Sequence, residues 1–312
     1  MSVMIDSSYQ ALIAQLPADL RPLARRLLFD LGLARTPDKG WADVFRLAPC
    51  LDLPIFVPPD GATVDEHTVQ AFRRAHHGAC FYNVLVDRIA DQQAAGTPER
   101  ELLEKHFLKH WRLCLSEAVG SEAYAEWAVN HGVRALHLGI GLERTGLARR
   151  SISLRRYGFS ILLKLGWIST ASECLLHQRV EAHRIPFFRR AFQLLILALQ
   201  AVDDAEDSAE DASVRGVSFP TALGFSPTAL FTASALLTRA AESSATKGGF
   251  EHFAQWLSGR AYELEQIRQR RIGPLDNLAG MVIASSLEAV CLSVAGRTRG
   301  STAATTSFVS SM

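Results

Sequence analysis

The sequence predicts an all-α protein: one large bundle of about ten helices around a central space. Three observations carry this. Apolar residues recur at helical spacing almost without interruption from Thr63 onward. Alternating β-branched stretches bounded by turn residues, the mark of a sheet, are missing. Several of the periodic segments are long, whereas a minimal four-helix bundle needs only short ones.

In chain order, Val3 to Leu16 and Leu20 to Leu33 read as two short amphipathic helices split by Pro17-Ala18-Asp19. The stretches PDKG and LDLPIFVPPDG are rich in proline and glycine and read as loops. Helices are then expected over 64–94, 98–118, 121–130, 132–149, 152–180, 183–212, 227–245, 248–271 and 274–294. No repeat of fixed period is present. The segment 296–312 is small, polar and poor in core formers, so the expectation is one folded domain over 1–295 and a disordered tail over 296–312.

Composition bounds the function. With 312 residues, 48% of them hydrophobic, the chain can bury a large core. A net charge of +1 leaves no global basic field for nucleic acid. The five cysteines are scattered, without metal spacing, and read as free thiols of a reducing compartment. The N-terminus lacks the basic start and apolar core of a signal peptide. The longest clean apolar run, Ala191 to Leu199, is interrupted by Gln193 and is far shorter than the roughly 20 residues that span a bilayer. A cytoplasmic protein with no transmembrane segment is expected, and a homodimer is compatible with the sequence.

Charge becomes informative at LALQAVDDAEDSAEDASVRG, Leu197 to Gly216, where six carboxylates fall within nine residues after an apolar run. On a helical wheel with Asp203 at zero, Asp207 lies near 40°, Asp211 near 80°, Asp204 near 100°, Glu210 near −20° and Glu206 near −60°. All six occupy less than half the wheel. No base stands between Arg190 and Arg215 to relieve them. A solvated acidic face is the ordinary reading of such a cluster. Stacked carboxylates without cations are also the donor set of a hard divalent ion: Mg²⁺ takes one or two carboxylates, keeps several waters and binds substrate phosphate oxygens. A second acidic wall is offered by CFYNVLVDRIADQQ, where Asp87 and Asp91 are one turn apart after an apolar stretch.

These residues resemble the class I isoprenoid synthases, which comprise squalene/phytoene synthases, polyprenyl diphosphate synthases and class I terpene synthases. QAVDDAED (Gln200–Asp207) is similar to the second aspartate-rich motif of the polyprenyl synthases. DSAEDASVRGVSFP (Asp207–Pro220) resembles the second motif of squalene/phytoene synthases, with Asp207, Glu210, Asp211, Arg215, Gly216 and Pro220 at its positions. DRIAD is similar to that group's first motif. The resemblance covers roughly residues 65–295. It implies an apolar cavity within an all-α fold, and Mg²⁺ held between two acidic helices by Asp87, Asp91, Asp203, Asp204, Asp207 and Asp211. The implied reaction is ionisation of an allylic prenyl diphosphate, with Asp87, Asp91, Asp203 and Asp207 as its catalytic acids.

Departures narrow the reading. Asn83 stands near the Arg that squalene/phytoene synthases carry before their first motif, and Val86 replaces an Asp, which argues against head-to-head condensation of two prenyl diphosphates. The Gly-Lys-Arg segment of chain-elongating synthases is missing, which argues against elongation. A terpene synthase that ionises one prenyl diphosphate and then cyclises or eliminates is the expectation. Condensation is the runner-up, and a non-catalytic prenyl-binding or partner subunit is the alternative of another class. Diphosphate needs bases, and the resemblance points to Arg215 by motif and to Arg155 or Arg156 by position; Arg149 and Arg150 flank these in LARRSISLRRYGF. Phe81, Tyr82, Phe159, Trp167, Phe192 and Tyr262 are candidates to line the cavity, although aromatics at helical spacing are more often plain core. His106 and His110, one turn apart, fit a solvated helix better than a metal pair, and His76 and His77 read as packing.

Overall fold

The computed structural model describes residues 3–45, 52–58, 65–91, 93–179, 181–271 and 273–309; for 3, 215, 270, 271 and 295–309 it describes the backbone alone. Among the described residues every regular element is helical. The chain forms two compact units, Met1–Ile140 with Trp167–Ala182, and Gly141–Gly166 with His183–Met312.

The first unit is built on Glu66–Ala90 packed against Pro98–Val119. Each starts on a capped end. Asp65 accepts from the backbone amides of His67 and Thr68, and Thr97 accepts from that of Arg100. Its core is aromatic. Tyr9, Trp41, Phe81 and Phe107 pack at centroid distances of 4.6 to 6.1 Å for the pairs Trp41–Phe81 and Tyr9–Phe107, and the Tyr9 hydroxyl donates to the Ala24 carbonyl at 2.7 Å. Such pairs contribute roughly 0.5–1.5 kcal/mol each beyond the area they bury. Tyr9 and Trp41 thus bring the N-terminal segment onto this core. His77 and His76 are internal braces. His77 Nδ1 lies 2.9 Å from Ser8 Oγ, and His76 Nδ1 lies 3.1 Å from the Ile168 carbonyl. Arg73 forks onto Asp52 beneath them.

Glu122–Ala148 is one helix, where the sequence suggests a break near residue 131. The reason is Gly132. A Cβ there would come within 2.9 Å of the Trp111 ring and 3.0 Å of the Trp167 ring, so the glycine permits a close approach and does not end the helix.

The second unit is dominated by Ile185–Glu206, Pro227–Lys247 and Glu251–Arg271, with Pro274–Val309 and Leu154–Leu165 packed on them. Ile185–Glu206 is buried along most of its length from Phe188 to Val202. The expected helix 152–180 is divided by a 3₁₀ turn at Gly166–Ser169 into Leu154–Leu165 and Thr170–Gln178. The expected helix 183–212 stops at Glu206 and restarts as Ser208–Arg215, with Asp207 at φ −86°, ψ 2° between them. Asp and Ser are weak helix formers, and stacked like charges weaken the ladder further. Gly280 seats the last helix: a Cβ there would meet Thr232 Cβ at 2.4 Å and the Ala229 carbonyl at 2.6 Å. The backbone of that helix continues to Val309, past residue 295.

Three helical stretches, Leu154–Gln178, Ala182–Glu206 and Pro274–Val294, are long and apolar enough to cross a membrane by length and composition alone. An argument from uninterrupted apolar runs passes over them, because polar and a few charged residues interrupt each run. The first two are two-thirds buried within the fold, the last one-third.

Candidate functional site

In the second unit the acidic cluster sorts itself by burial. Asp203, Glu206, Asp207 and Glu210 are exposed, Asp211 is half-buried, and Asp204 is turned fully inward. Asp203 and Asp207 remain one helical turn apart, since the Asp207 amide donates to the Asp203 carbonyl at 2.9 Å. Asp211 sits one turn further on, across the break, with its amide on the Asp207 carbonyl at 2.9 Å. The sequence reading places all of these acids on one face. The structure separates Asp204 from the others because it follows Asp203 by about 100°, which carries it to the face of Ala201 and Ala205, both buried.

Asp204 has two side-chain donors. The Tyr157 hydroxyl bonds to Oδ2, and Gln200 Nε2 reaches Oδ1 at 2.9 Å. Burial raises the Asp204 carboxyl well above the ordinary aspartate value, the two hydrogen bonds pull the other way, and the nearby charges of Asp203 and Glu143 push it up further. Burial likewise raises the Tyr157 phenol, helped by Asp204. Beside this couple lies an ion pair, Lys164 Nζ to Glu143 Oε2 at 2.9 Å, buried on both sides. Tyr157, Gln200, Glu143 and Lys164 were not singled out from sequence. Gln200 alone carried a signal, as the first residue of the motif QAVDDAED.

The bases expected near diphosphate lie in the same unit. Arg155 is exposed and stacks over the Phe159 ring at 5.7 Å. Arg156 donates through Nε to the Leu142 carbonyl at 3.2 Å. Arg150 is exposed, holds a left-handed backbone at φ 51°, and lies beside Gly216 at the end of the Ser208–Arg215 helix. The Arg215 side chain lies outside the described residues.

In the first unit Asp87 and Asp91 close the Glu66–Ala90 helix. Both are half-buried, and the Asp91 amide donates to the Asp87 carbonyl at 2.8 Å. Val86 and Asn83 are buried in the core. Phe81 and Tyr82 are core residues: Phe81 packs on Tyr9 and Trp41, and Tyr82 packs on Trp111 at 6.0 Å with its hydroxyl toward Glu104. Trp167 packs on Trp111 at 4.8 Å. In the second unit Phe192 is fully buried, Phe159 is half-buried and Tyr262 is exposed. His110 is buried with Cys114 Sγ 3.4 Å from its Nε2, and burial lowers its pKa to about 4.

Among the described residues no three His, Cys, Asp or Glu side chains are grouped so as to hold a metal ion by themselves. The exposed donors are all carboxylate oxygens, one or two at a time. That suits Mg²⁺, which keeps waters and shares substrate phosphates, and does not suit an ion that needs a closed protein cage.

No family model matches this chain, and no curated protein matches it. A solved structure does: a polyprenyl synthetase from Streptomyces coelicolor A3(2), at a TM-score of 0.50 and 15% identity over 91% of this chain and 96% of that one. At that identity the likeness is one of fold. The chain therefore has an all-α fold similar to that of the polyprenyl synthetase.

Proposed function

We propose that the protein is an Mg²⁺-dependent class I terpene synthase that ionises an allylic prenyl diphosphate and then cyclises the chain or eliminates a proton. The observation that carries this reading is the exposed pair Asp203 and Asp207, one turn apart at the end of a helix buried along most of its length from Phe188 to Val202, on a chain folded like a polyprenyl synthetase. In this reading Asp203, Asp207 and Asp211 would hold Mg²⁺ in the second unit, and Asp87 and Asp91 are the matching acidic pair of the first. When bound, Mg²⁺ neutralises charge developing on the leaving diphosphate. Arg155 and Arg150 supply further positive charge to that group. Asp204 is a positioning residue here: tied to Tyr157 and Gln200, it fixes the turn that presents Asp203.

One observation favours a non-catalytic prenyl binder. The DRIAD segment offers just Asp87 and Asp91, since Val86 is buried in the core where a further acid would be buried too. The two readings separate in one assay. Full-length protein is incubated with Mg²⁺ and geranyl, farnesyl or geranylgeranyl diphosphate, and diphosphate and hydrocarbon or alcohol products are measured. Turnover with one substrate per product is expected, and Asp207→Ala abolishes it with the circular dichroism unchanged. Binding without turnover at any chain length assigns the binder. Two substrates per product assign condensation. Near-normal activity in Asp207→Ala moves the site elsewhere.

A further inference from the structure

The last helix is held by one face only. Ile283, Leu287, Val290 and Cys291 are buried, and Gly280 seats the helix against Thr232 and Ala229. The outer face carries Leu275, Leu278, Met281, Val282 and Leu292, exposed to 83%, 59%, 50%, 51% and 51%. Leu275, Leu278, Val282 and Leu292 fall on one seam at heptad spacing, continued between them by the small residues Ser285 and Ala289. A contiguous apolar stripe of this kind on a folded chain marks a docking surface.

Charge identifies the occupant. The two acids of the segment face the protein's own side: Asp276 accepts from Ser226 and Thr228 at 2.6 Å each, and Glu288 pairs with Arg190 at 2.6 Å. Bases bracket the stripe in sequence, with Arg268, Arg270 and Arg271 before it and Arg297 and Arg299 after it. At its head, where Glu251–Arg271 turns into the last helix, Arg268, Gln269, Gly273, Pro274 and Asn277 line a groove of about 310 Å³. Arg268 is shared there with Glu265 at 3.2 Å. The sequence at both ends of the stripe is basic, which favours an anionic occupant over a second copy carrying the same charges. Spanning a bilayer is excluded while Leu287 and its neighbours stay in the core. Lying in the plane of the interface is not.

We propose that the outer face of the last helix docks on an anionic phospholipid surface, with the apolar stripe at the headgroup–acyl boundary and the groove at its head taking a lipid phosphate. This assignment does not depend on the proposed reaction. The test is flotation of the full-length protein with phosphatidylcholine vesicles and with vesicles containing phosphatidylserine, alongside light scattering for the oligomeric state. Binding to the phosphatidylserine vesicles is expected. It should weaken as salt rises and in Arg268→Glu, and fall by about tenfold or more in Leu275→Glu/Leu278→Glu. Val282→Ser/Leu292→Ser, a milder pair, should show the same direction, with thermal melts confirming that both double variants fold. Absence of wild-type binding to either vesicle, or unchanged binding in both double variants, overturns the proposal. Equal binding to the zwitterionic phosphatidylcholine vesicles overturns the requirement for an anionic surface. A wild-type dimer that does not bind vesicles and dissociates in the double variants gives the face to a second copy.

Discussion

Asp204 illustrates what a buried carboxylate requires. Its charge is removed from water and faces Asp203 and Glu143, and only the Tyr157 and Gln200 donors offset that. The folded pKa is raised, so the native state holds a proton that the unfolded chain releases. The associated stability is present below the ordinary aspartate value and is lost as pH rises above it. Asp204→Asn keeps an acceptor for Tyr157 and needs no bound proton to stay neutral, so its melting temperature at neutral pH should equal or exceed that of the wild type. Asp204→Ala strands the Tyr157 hydroxyl and should cost about 1–3 kcal/mol. A melting temperature for the Asn variant as low as that of the Ala variant would show that the charge itself holds this part of the fold. None of this was legible in the sequence. A wheel gives angles between Asp203, Asp204 and Asp207 but not which angle faces inward, and Tyr157 is 47 residues away.

At the scale of elements, helix interiors were readable and helix ends were not. Periodicity locates Glu66–Ala90, Pro98–Val119, Pro227–Lys247 and Glu251–Arg271 to within a few residues, since each buries a stripe and begins at a turn or capping residue. Gly132 looks like a breaker until Trp111 and Trp167 are seen above it, and the interruption at Asp207 depends on a crowd of charge that periodicity does not weigh. Arg150 is the informative helix end. Glycine usually occupies a left-handed position after a helix, and a side chain there costs about 1 kcal/mol. Arg150→Gly should therefore raise stability by about that amount. If the guanidinium serves diphosphate, the same change should weaken binding of inorganic diphosphate in the presence of Mg²⁺, measured by calorimetry. A variant that is more stable and binds equally well would remove Arg150 from the site.

For the molecule as a whole, acid sensitivity has a nameable source in the first unit. His110 is neutral and buried, with a pKa lowered to about 4, whereas in the unfolded chain it takes up a proton near its ordinary value of 6.5. Between those values the unfolded state binds more protons, so stability declines as pH falls through that window and levels off below it, by roughly 3 kcal/mol for the shift. Thermal melts from pH 7 to pH 4.5 should show this decline, and His110→Gln should flatten it. An unchanged slope in the variant would place the acid sensitivity in other groups. The fold class was legible from sequence because helical periodicity runs through most of the chain. Which helices share a core was not, because periodicity marks a buried face without naming what covers it.

The chain threads the two units in alternation: it leaves the first at Ile140, returns at Trp167, and departs again after Ala182. A single scission cannot liberate either one. A cut near residue 182 leaves the Leu154–Leu165 helix on the amino-terminal piece and takes the Tyr157 donor from Asp204 on the other. Limited proteolysis in that stretch should yield two fragments that copurify under native conditions, and either of them expressed alone should be poorly soluble.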